Sequence, residues 1–184
     1  GVRRRDVVSW QLPNCVEAMQ LYRACWRLGA VAAPVHHQAG PADRERMLDV
    51  LQPKVIADVA LARSGAAPVT SPSARSTDIA VVLFTAGSSG EPKAVLHTHR
   101  GLAHKSRTMV GAHGLRPSDV VLMPAPLAHI SGLLNGVLVP GAAGMRTVVM
   151  ERWDPEHALA LIEQEHVSFM IGPPTFFVGL MSAP

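Results

Sequence analysis

The sequence predicts an α/β fold, a mostly parallel sheet flanked by helices, and three observations support this prediction. Short apolar segments alternate with helix-length segments along the chain, as they do in proteins built from strand–helix–strand units. The segment from Ile79 to Phe84 is continuously apolar, which is typical of a strand covered on both faces. The helical segments begin or end at Asn, Asp, Pro or Gly, residues that favour helix boundaries. At 184 residues the chain is long enough to bury a sizeable core.

The elements are predicted in alternating order. Strands are predicted at residues 6–12, 31–35, 54–60, 79–84, 95–98, 120–123, 146–150 and 168–171. Helices are predicted at residues 14–28, 41–51 and 155–165, between the strand at 95–98 and about residue 111, from about residue 130, and after Pro174.

The helix boundaries rest on local signals. Asn14 and Glu17 have the spacing of a helix cap and its reciprocal partner, and Gly29 is a typical stop residue. Asp154 is a candidate cap for a helix that begins at Pro155. In the first helix, four residues recur at helical spacing and are predicted to face the core: Val16, Met19, Tyr22 and Trp26.

A stretch rich in Ser, Ala and Pro at residues 62–77 lacks periodicity and is predicted to be a loop. It falls inside what we treat as one partial domain, residues 1–184.

Composition excludes several classes of protein. A hydrophobic content of 48% is too high for a disordered chain. A net charge of +3 and an aromatic content of 4% give no basis for nucleic-acid binding. Cys15 and Cys25 fall in one predicted helix, roughly 15 Å apart at about 1.5 Å per residue, too far for a disulfide. We therefore expect buried free thiols, a reducing compartment and a cytoplasmic location.

A membrane-inserted protein is the weaker alternative for residues 120–145, which contain no Asp, Glu, Lys or Arg. Prolines interrupt this stretch and leave 13 residues, 127–139, without one, whereas a spanning helix needs about 20. A buried strand, loop and helix fits it better, and no transmembrane segment is expected.

Phe84 to Lys93, with the sequence FTAGSSGEPK, is the segment most suggestive of chemistry. It follows the buried strand and combines two glycines, three hydroxyl residues and a lysine. Glycines let backbone N–H groups approach an anion, hydroxyls add donors, and the lysine adds a positive charge, so the loop suits a polyphosphate. It is not a Walker A loop, because Pro92 precedes the lysine and Ala94 follows it. On composition alone, an ordinary Gly/Ser surface turn remains open.

The longer run FTAGSSGEPKAVLHTHRGL resembles the phosphate-binding signature of adenylate-forming enzymes, which include acyl-CoA synthetases, adenylation domains and luciferases. Two positions depart from that signature: Ala86 replaces its usual Ser and Ala94 its usual Gly. PLAHISG at residues 126–132 resembles the family's next signature, with Ala128 in place of an aromatic residue. Eight positions match the first signature: Thr85, Gly87, Ser88, Ser89, Gly90, Pro92, Lys93 and Val95.

The resemblance implies a two-step reaction in which a carboxylic acid and ATP form an acyl-adenylate and pyrophosphate, and coenzyme A then takes the acyl group. It implies Mg²⁺ as a further cofactor. His129 is implied to lie beside the carboxylate and the α-phosphate. The residues implied to bind the ATP phosphates are Thr85, Gly87, Ser88, Ser89, Gly90 and Lys93.

The family's adenine-binding segment and its C-terminal domain, with the catalytic lysine, are absent from these residues. We therefore expect a catalytically inactive fragment of the N-terminal domain that self-associates through exposed sheet edges. The alternative is a stand-alone phosphate-binding or interaction module without catalysis.

The remaining polar clusters are interpreted as structural or solvent-exposed groups without a functional role. His97 and His99 alternate, so on a strand they would share a face, and His104 is near in sequence, but no acidic third ligand for a metal site is spaced nearby. Arg3 to Arg5 is interpreted as a solvated edge rather than a contact with anionic lipid. No role is assigned to the other histidines: His36, His37, His113, His157 and His166.

Overall fold

The computed structural model describes residues 1–57, 74–85 and 92–183. Within these ranges the chain is an α/β protein whose strands are mostly parallel and flanked by helices, so the fold class is confirmed. The chain divides into two units, Gly1–Gly101 and Leu102–Pro184, each with its own sheet. The alternation of strands and helices did not predict this division.

The first unit contains five described strands: β1 (Val7–Trp10), β2 (Val31–Pro34), β3 (Val55–Ala57), β4 (Ile79–Thr85) and β5 (Lys93–Thr98). Its helices are α1 (Val16–Leu28) and α2 (Pro41–Leu51), and α3 (His99–His113) begins in it and continues into the second unit. The strands lie in the order β3-β1-β2-β4-β5, with β5 antiparallel to β4 and the other pairs parallel.

The core of the first unit includes one cluster in which Leu51 of α2 packs with Val31, Ala33 and Val82 of the sheet, and a second set of contacts between the sheet and α1. Residues 80–83 of β4 are buried, as the continuous apolar run predicts. Trp10 and Tyr22 meet edge to face at 5.0 Å, and the Trp26 indole N–H donates to the carbonyl of Ala80 at 3.0 Å. These aromatic contacts hold α1 against both β1 and β4.

Two predictions for α1 are wrong. Cys15, not Asn14, occupies the N-cap position. Val16 is exposed, and the buried face consists of Ala18, Leu21, Tyr22 and Cys25. The rest of the predicted stripe is supported, because Tyr22 is fully buried and Met19 and Trp26 are half-buried. The stop at Gly29 is confirmed, since this residue has a φ of 69°.

The interpretation of the arginine run as a solvated edge is wrong for Arg4. Its guanidinium forms two hydrogen bonds with Asp78, whose side chain is 4% exposed. The backbone N–H of Arg75 also donates to Asp78, at 2.8 Å, and the Asp78 carbonyl accepts from the N–H of His99. Asp78 therefore ties the N-terminal segment to the start of β4 and the start of α3.

The second unit contains a parallel sheet in the order β7-β6-β8, formed by β6 (Val120–Met123), β7 (Arg146–Val149) and β8 (Phe169–Met170). Its further helices are α4 (Ile130–Leu133), α5 (Val139–Ala143), α6 (Pro155–Gln164) and α7 (Pro174–Ser182), with a π-helical segment, Leu134–Leu138, between α4 and α5. Every residue of β6 is buried, and Asp154 caps α6 through the N–H of His157, as predicted.

Among the described residues, no helix has the length and apolar character needed to cross a bilayer. The uncharged stretch that raised the membrane alternative instead forms β6, a turn and the helical run from Ile130 to Ala143. Part of the predicted loop, residues 62–73, and residues 58–60 of the third predicted strand lie outside the described ranges.

Candidate functional site

The hairpin of β4 and β5 carries two of the predicted phosphate-binding residues. The two strands pair so that Thr85, the last residue of β4, lies opposite Lys93, the first residue of β5. Both residues are exposed. Because β4 is parallel to β2, this end of the hairpin is at the carboxyl edge of the sheet, where α/β proteins bind ligands.

Four predicted site residues lie between these two positions: Gly87, Ser88, Ser89 and Gly90. They fall outside the described ranges, as does Ala86, so their phosphate contacts stay predictions. The chain must nevertheless connect two residues that are paired across adjacent strands, about 5 Å apart. Seven residues, 86–92, lie between them in the sequence.

Lys93 has the surroundings expected of a cation that is available to a ligand. It forms no ion pair with a described residue. Arg4, Arg46 and Arg146, by contrast, each pair with a carboxylate: Asp78, Asp43 and Glu165. The Lys93 ammonium and the Thr85 hydroxyl together offer donors for the oxygens of an anion.

His129 lies in the second unit, six residues after the carboxyl end of β6, and it is exposed. It is the N-cap of α4, and its Nδ1 accepts a hydrogen bond from the N–H of Ser131 at 3.2 Å. An accepting Nδ1 places the proton of the neutral ring on Nε2. The capping bond therefore fixes the tautomer and leaves an Nε2–H donor for a carboxylate or phosphate oxygen.

The helical run that His129 opens is packed closely against the turn before it. A Cβ on Gly132 would lie 2.1 Å from the carbonyl oxygen of Pro126, so glycine is required at this approach. The same carbonyl accepts from the backbone N–H of His129 at 3.0 Å. Backbone contacts therefore hold His129 in place together with the capping bond of its ring.

A π-helical segment, Leu134–Leu138, interrupts this run, and such segments are frequent near functional sites. The Thr147 hydroxyl of β7 donates to the carbonyl of Gly136 at 2.9 Å. Asn135 is 5% exposed, and its Nδ2 donates to the carbonyl of Ser131. Its Oδ1 has no hydrogen-bond partner among the described residues. The sequence offered no signal for this segment.

His97 and His99 do not share a strand face. His97 lies in β5, whereas His99 begins α3, because the strand ends at Thr98. Burial lowers the pKa of the His99 imidazole, and the nearby Asp78 carboxylate opposes this effect. Across the described ranges, no group of three or more His, Cys, Asp or Glu side chains is placed to hold a metal ion.

Sequence reasoning also missed the role of Asp78. It lies at the opposite end of β4 from Thr85 and anchors the base of the hairpin. Its position in the sequence could have indicated this role. A carboxylate immediately before a strand that is covered on both faces is expected to be buried and therefore needs a partner.

Comparison with known proteins gives a consistent picture. The family model described as "AMP-binding enzyme" matches residues 1–67 and 58–184. A medium-chain fatty-acid–CoA ligase of Escherichia coli (strain K12) is 27% identical over 223 residues, covering 99% of this chain and 39% of the ligase. The chain thus spans less than half the length of this curated relative.

Two solved structures share the fold across the whole chain. The inhibitor-bound N-terminal domain of FACL13 from Mycobacterium tuberculosis has a TM-score of 0.90 at 23% identity, and the match covers 54% of that chain. The o-succinylbenzoate CoA synthetase of Bacillus subtilis, in complex with its acyl-adenylate intermediate, has a TM-score of 0.88 at 22% identity, with 53% of that chain covered. At these identities the likeness establishes the fold.

Proposed function

The chain belongs to the AMP-binding enzyme family, and on that premise we propose that it is the part of an acyl-CoA synthetase that holds the phosphate groups of ATP. The observation that carries this proposal is the pairing of Thr85 with Lys93 at the carboxyl edge of the first sheet. The relatives named as CoA ligases support the class of reaction.

The proposed reaction has two steps. A carboxylate oxygen of the acid attacks the α-phosphorus of ATP, the bond to the bridging oxygen breaks, and pyrophosphate leaves. The sulfur of coenzyme A then attacks the acyl carbon, and AMP leaves. The small-molecule substrates are thus a carboxylic acid, ATP and coenzyme A.

In this proposal the first unit binds the leaving group. The Lys93 ammonium and the Thr85 hydroxyl contact β- and γ-phosphate oxygens, together with backbone and side-chain donors of Gly87, Ser88, Ser89 and Gly90. These donors offset the negative charge that develops on pyrophosphate as the bond breaks. The first unit contributes binding and charge stabilisation and contributes no nucleophile.

His129 is proposed to bind the acid and the α-phosphate. Its Nε2–H, fixed by the Ser131 contact, can donate to an oxygen of either group. Mg²⁺ would screen the phosphate charges when bound. We assign it no ligand among the described residues, which offer no cluster of acidic side chains for it.

We propose further that the 184 residues alone bind nucleotide without completing the reaction. The family resemblance assigns the adenine-binding segment and the catalytic lysine to sequence that these residues lack. A cytoplasmic location for the intact protein is part of the same proposal, since both cysteines are free and Cys25 is buried.

Calorimetric titration of this chain with MgATP tests the proposal. The affinity of the unsubstituted chain is compared with that of two variants, each lacking one lysine. Lys93→Ala removes the proposed phosphate contact at the carboxyl edge. Lys54→Ala removes a lysine that is also exposed, just before β3 at the amino edge of the same sheet. A lost charge-assisted contact of about 1.5–3 kcal/mol weakens binding roughly ten- to a hundredfold.

We expect that weakening for Lys93→Ala and unchanged affinity for Lys54→Ala. Equal effects of the two substitutions, or no binding by the unsubstituted chain, would overturn the phosphate-site proposal. Acid-dependent exchange of pyrophosphate into ATP by the purified chain would overturn the proposal that it is inactive alone.

A further inference from the structure

His99 lies at the base of the β4–β5 hairpin, where the start of α3 meets the segment that enters β4. It follows the last residue of β5 and is the first residue of α3. Its backbone N–H donates to the carbonyl of Asp78, the residue before β4, at 3.1 Å. The next N–H in α3, that of Arg100, donates to the carbonyl of Ser76 at 2.8 Å. These two bonds hold the first turn of α3 against the segment before β4.

The surroundings of the His99 imidazole disfavour its charged form. The residue is half-buried, and its Nε2 is enclosed and has no hydrogen-bond partner among the described residues. Protonation would place an N–H on Nε2 where no acceptor meets it, which is unfavourable in a buried position. The neutral ring avoids this penalty by carrying its proton on Nδ1. Burial accordingly lowers the pKa of His99, and the Asp78 carboxylate opposes this effect only in part.

The Asp78 carboxylate is already committed to other donors. Its two oxygens accept from Nε and Nη2 of Arg4 and from the backbone N–H of Arg75, and a guanidinium nitrogen of Arg5 lies 3.6 Å away. A proton on His99 would therefore add a cation where the nearest carboxylate is occupied. The titratable side chains on the segments that meet here are Arg4, Arg5 and Asp6 before β1, Arg75 and Asp78 before β4, His97 in β5, and Arg100 in α3. Among them, Asp78 is the one that acts on the pKa of His99.

The direction of the pH effect follows from the difference between a closed and an open form of this junction. A histidine exposed by opening has its ordinary pKa of about 6.5, whereas the pKa of the closed ring is lower. Below pH 6.5 the open form binds protons that the closed form excludes, so acid favours opening. The closed form is fully favoured above pH 6.5, and the loss is complete below the pKa of the closed ring.

We propose that His99 is a pH switch whose protonation releases the first turn of α3 from the segment before β4, at the base of the hairpin. The hairpin carries Thr85 and Lys93 at its other end, so the switch gives pH a route to that end of the sheet. The inference rests on the contacts at the base of the hairpin and does not depend on phosphate binding.

Backbone hydrogen exchange in the 184-residue chain, measured by NMR from pH 7.5 to pH 5, tests the switch. The protection factors of the His99 and Arg100 N–H groups should fall below pH 6.5, by roughly tenfold for each pH unit between 6.5 and the pKa of the closed ring. The N–H of Val35, which donates to the carbonyl of Trp10 at 2.8 Å in the same unit, should keep its protection.

Two matched substitutions separate His99 from the other histidines. His99→Phe keeps an aromatic ring at this position but removes the titratable group. His104→Phe makes the same change at an exposed histidine of α3. We expect the protection of the Arg100 N–H to be independent of pH over this range in His99→Phe. In His104→Phe it should fall with acid as it does in the unsubstituted chain.

The imidazole NMR signal of His99 in the unsubstituted chain gives a measurement that needs no variant. Its titration midpoint should lie below pH 6.5. A midpoint at or above 6.5, or constant protection of the His99 and Arg100 N–H groups down to pH 5, would overturn the switch. An equal fall in protection in His99→Phe would also overturn it, because another group would then be responsible. None of these results bears on the titration of Lys93→Ala with MgATP, which tests the phosphate site separately.

Discussion

Arg4 and Asp78, 74 residues apart in sequence, form a two-point contact in which Nε and Nη2 of the guanidinium donate to the two carboxylate oxygens at 2.8 and 2.6 Å. The contact lowers the pKa of the Asp78 carboxyl well below its usual range, with the Arg75 N–H as the second cause. It joins the segment before β1 to the base of the hairpin that carries Thr85 and Lys93.

Asp78→Asn is expected to lower the thermal unfolding midpoint at neutral pH, because it leaves the half-buried Arg4 without its carboxylate. A depressed pKa in the folded state stabilises the protein above the unfolded-state pKa of about 3.9, and this stability is lost as the pH falls further. The difference between the unsubstituted chain and Asp78→Asn should therefore be full at pH 7 and shrink below pH 4. A difference that does not change between pH 7 and pH 3 would contradict the assignment.

Gly132→Ala is expected to destabilise the chain, because the new Cβ would lie 2.1 Å from the Pro126 carbonyl oxygen. The cost should reach or exceed the roughly 1–3 kcal/mol typical of overpacking. Gly141→Ala, in α5, is the control, since a Cβ there meets nothing within 4 Å. It should be neutral or stabilise by up to about 1 kcal/mol. Urea denaturation measures both, and equal stabilities would refute the close approach.

Leu96→Lys is expected to reduce self-association. β5 is the last strand in the order of its sheet, and Leu96 is 58% exposed on it, so an apolar edge strand faces solvent. Val16→Lys, at a residue of α1 that is 57% exposed, adds the same charge away from the sheet edge. Light scattering over a concentration series should show a smaller mean mass for Leu96→Lys alone. If the unsubstituted chain is monomeric over the same concentrations, the predicted self-association is wrong.

Cys25 is expected to resist alkylation in the folded chain. Burial raises the pKa of its thiol to about 12, so at pH 8 roughly one thiol in ten thousand is ionised. The half-buried Cys15, whose pKa is also raised by burial, should react first with iodoacetamide. Peptide mass spectrometry after timed alkylation measures the order, and rapid modification of Cys25 under native conditions would show that it is not enclosed.

The sequence allowed most of the elements to be predicted because they depend on local patterns. The apolar run before Thr85 indicated a buried strand, but the antiparallel pairing that places Lys93 opposite Thr85 was not predicted. The place of β2 between β1 and β4 could not be predicted, because periodicity carries no information on strand order. The Arg4 contact was missed for a related reason, since its partner is brought close by the sheet and not by the chain.

The π-helical segment has a consequence for how this part of the chain tolerates changes in length. A π turn takes in one residue more than an α turn, so removing one residue from Leu134–Leu138 could restore α-helical hydrogen bonding without shortening α4 or α5. Residues on the two sides of the segment would then keep their own neighbours, Pro126 for Gly132 and Pro117 for Gly144. A single-residue deletion here is thus expected to be better tolerated than one in the regular turns of α6.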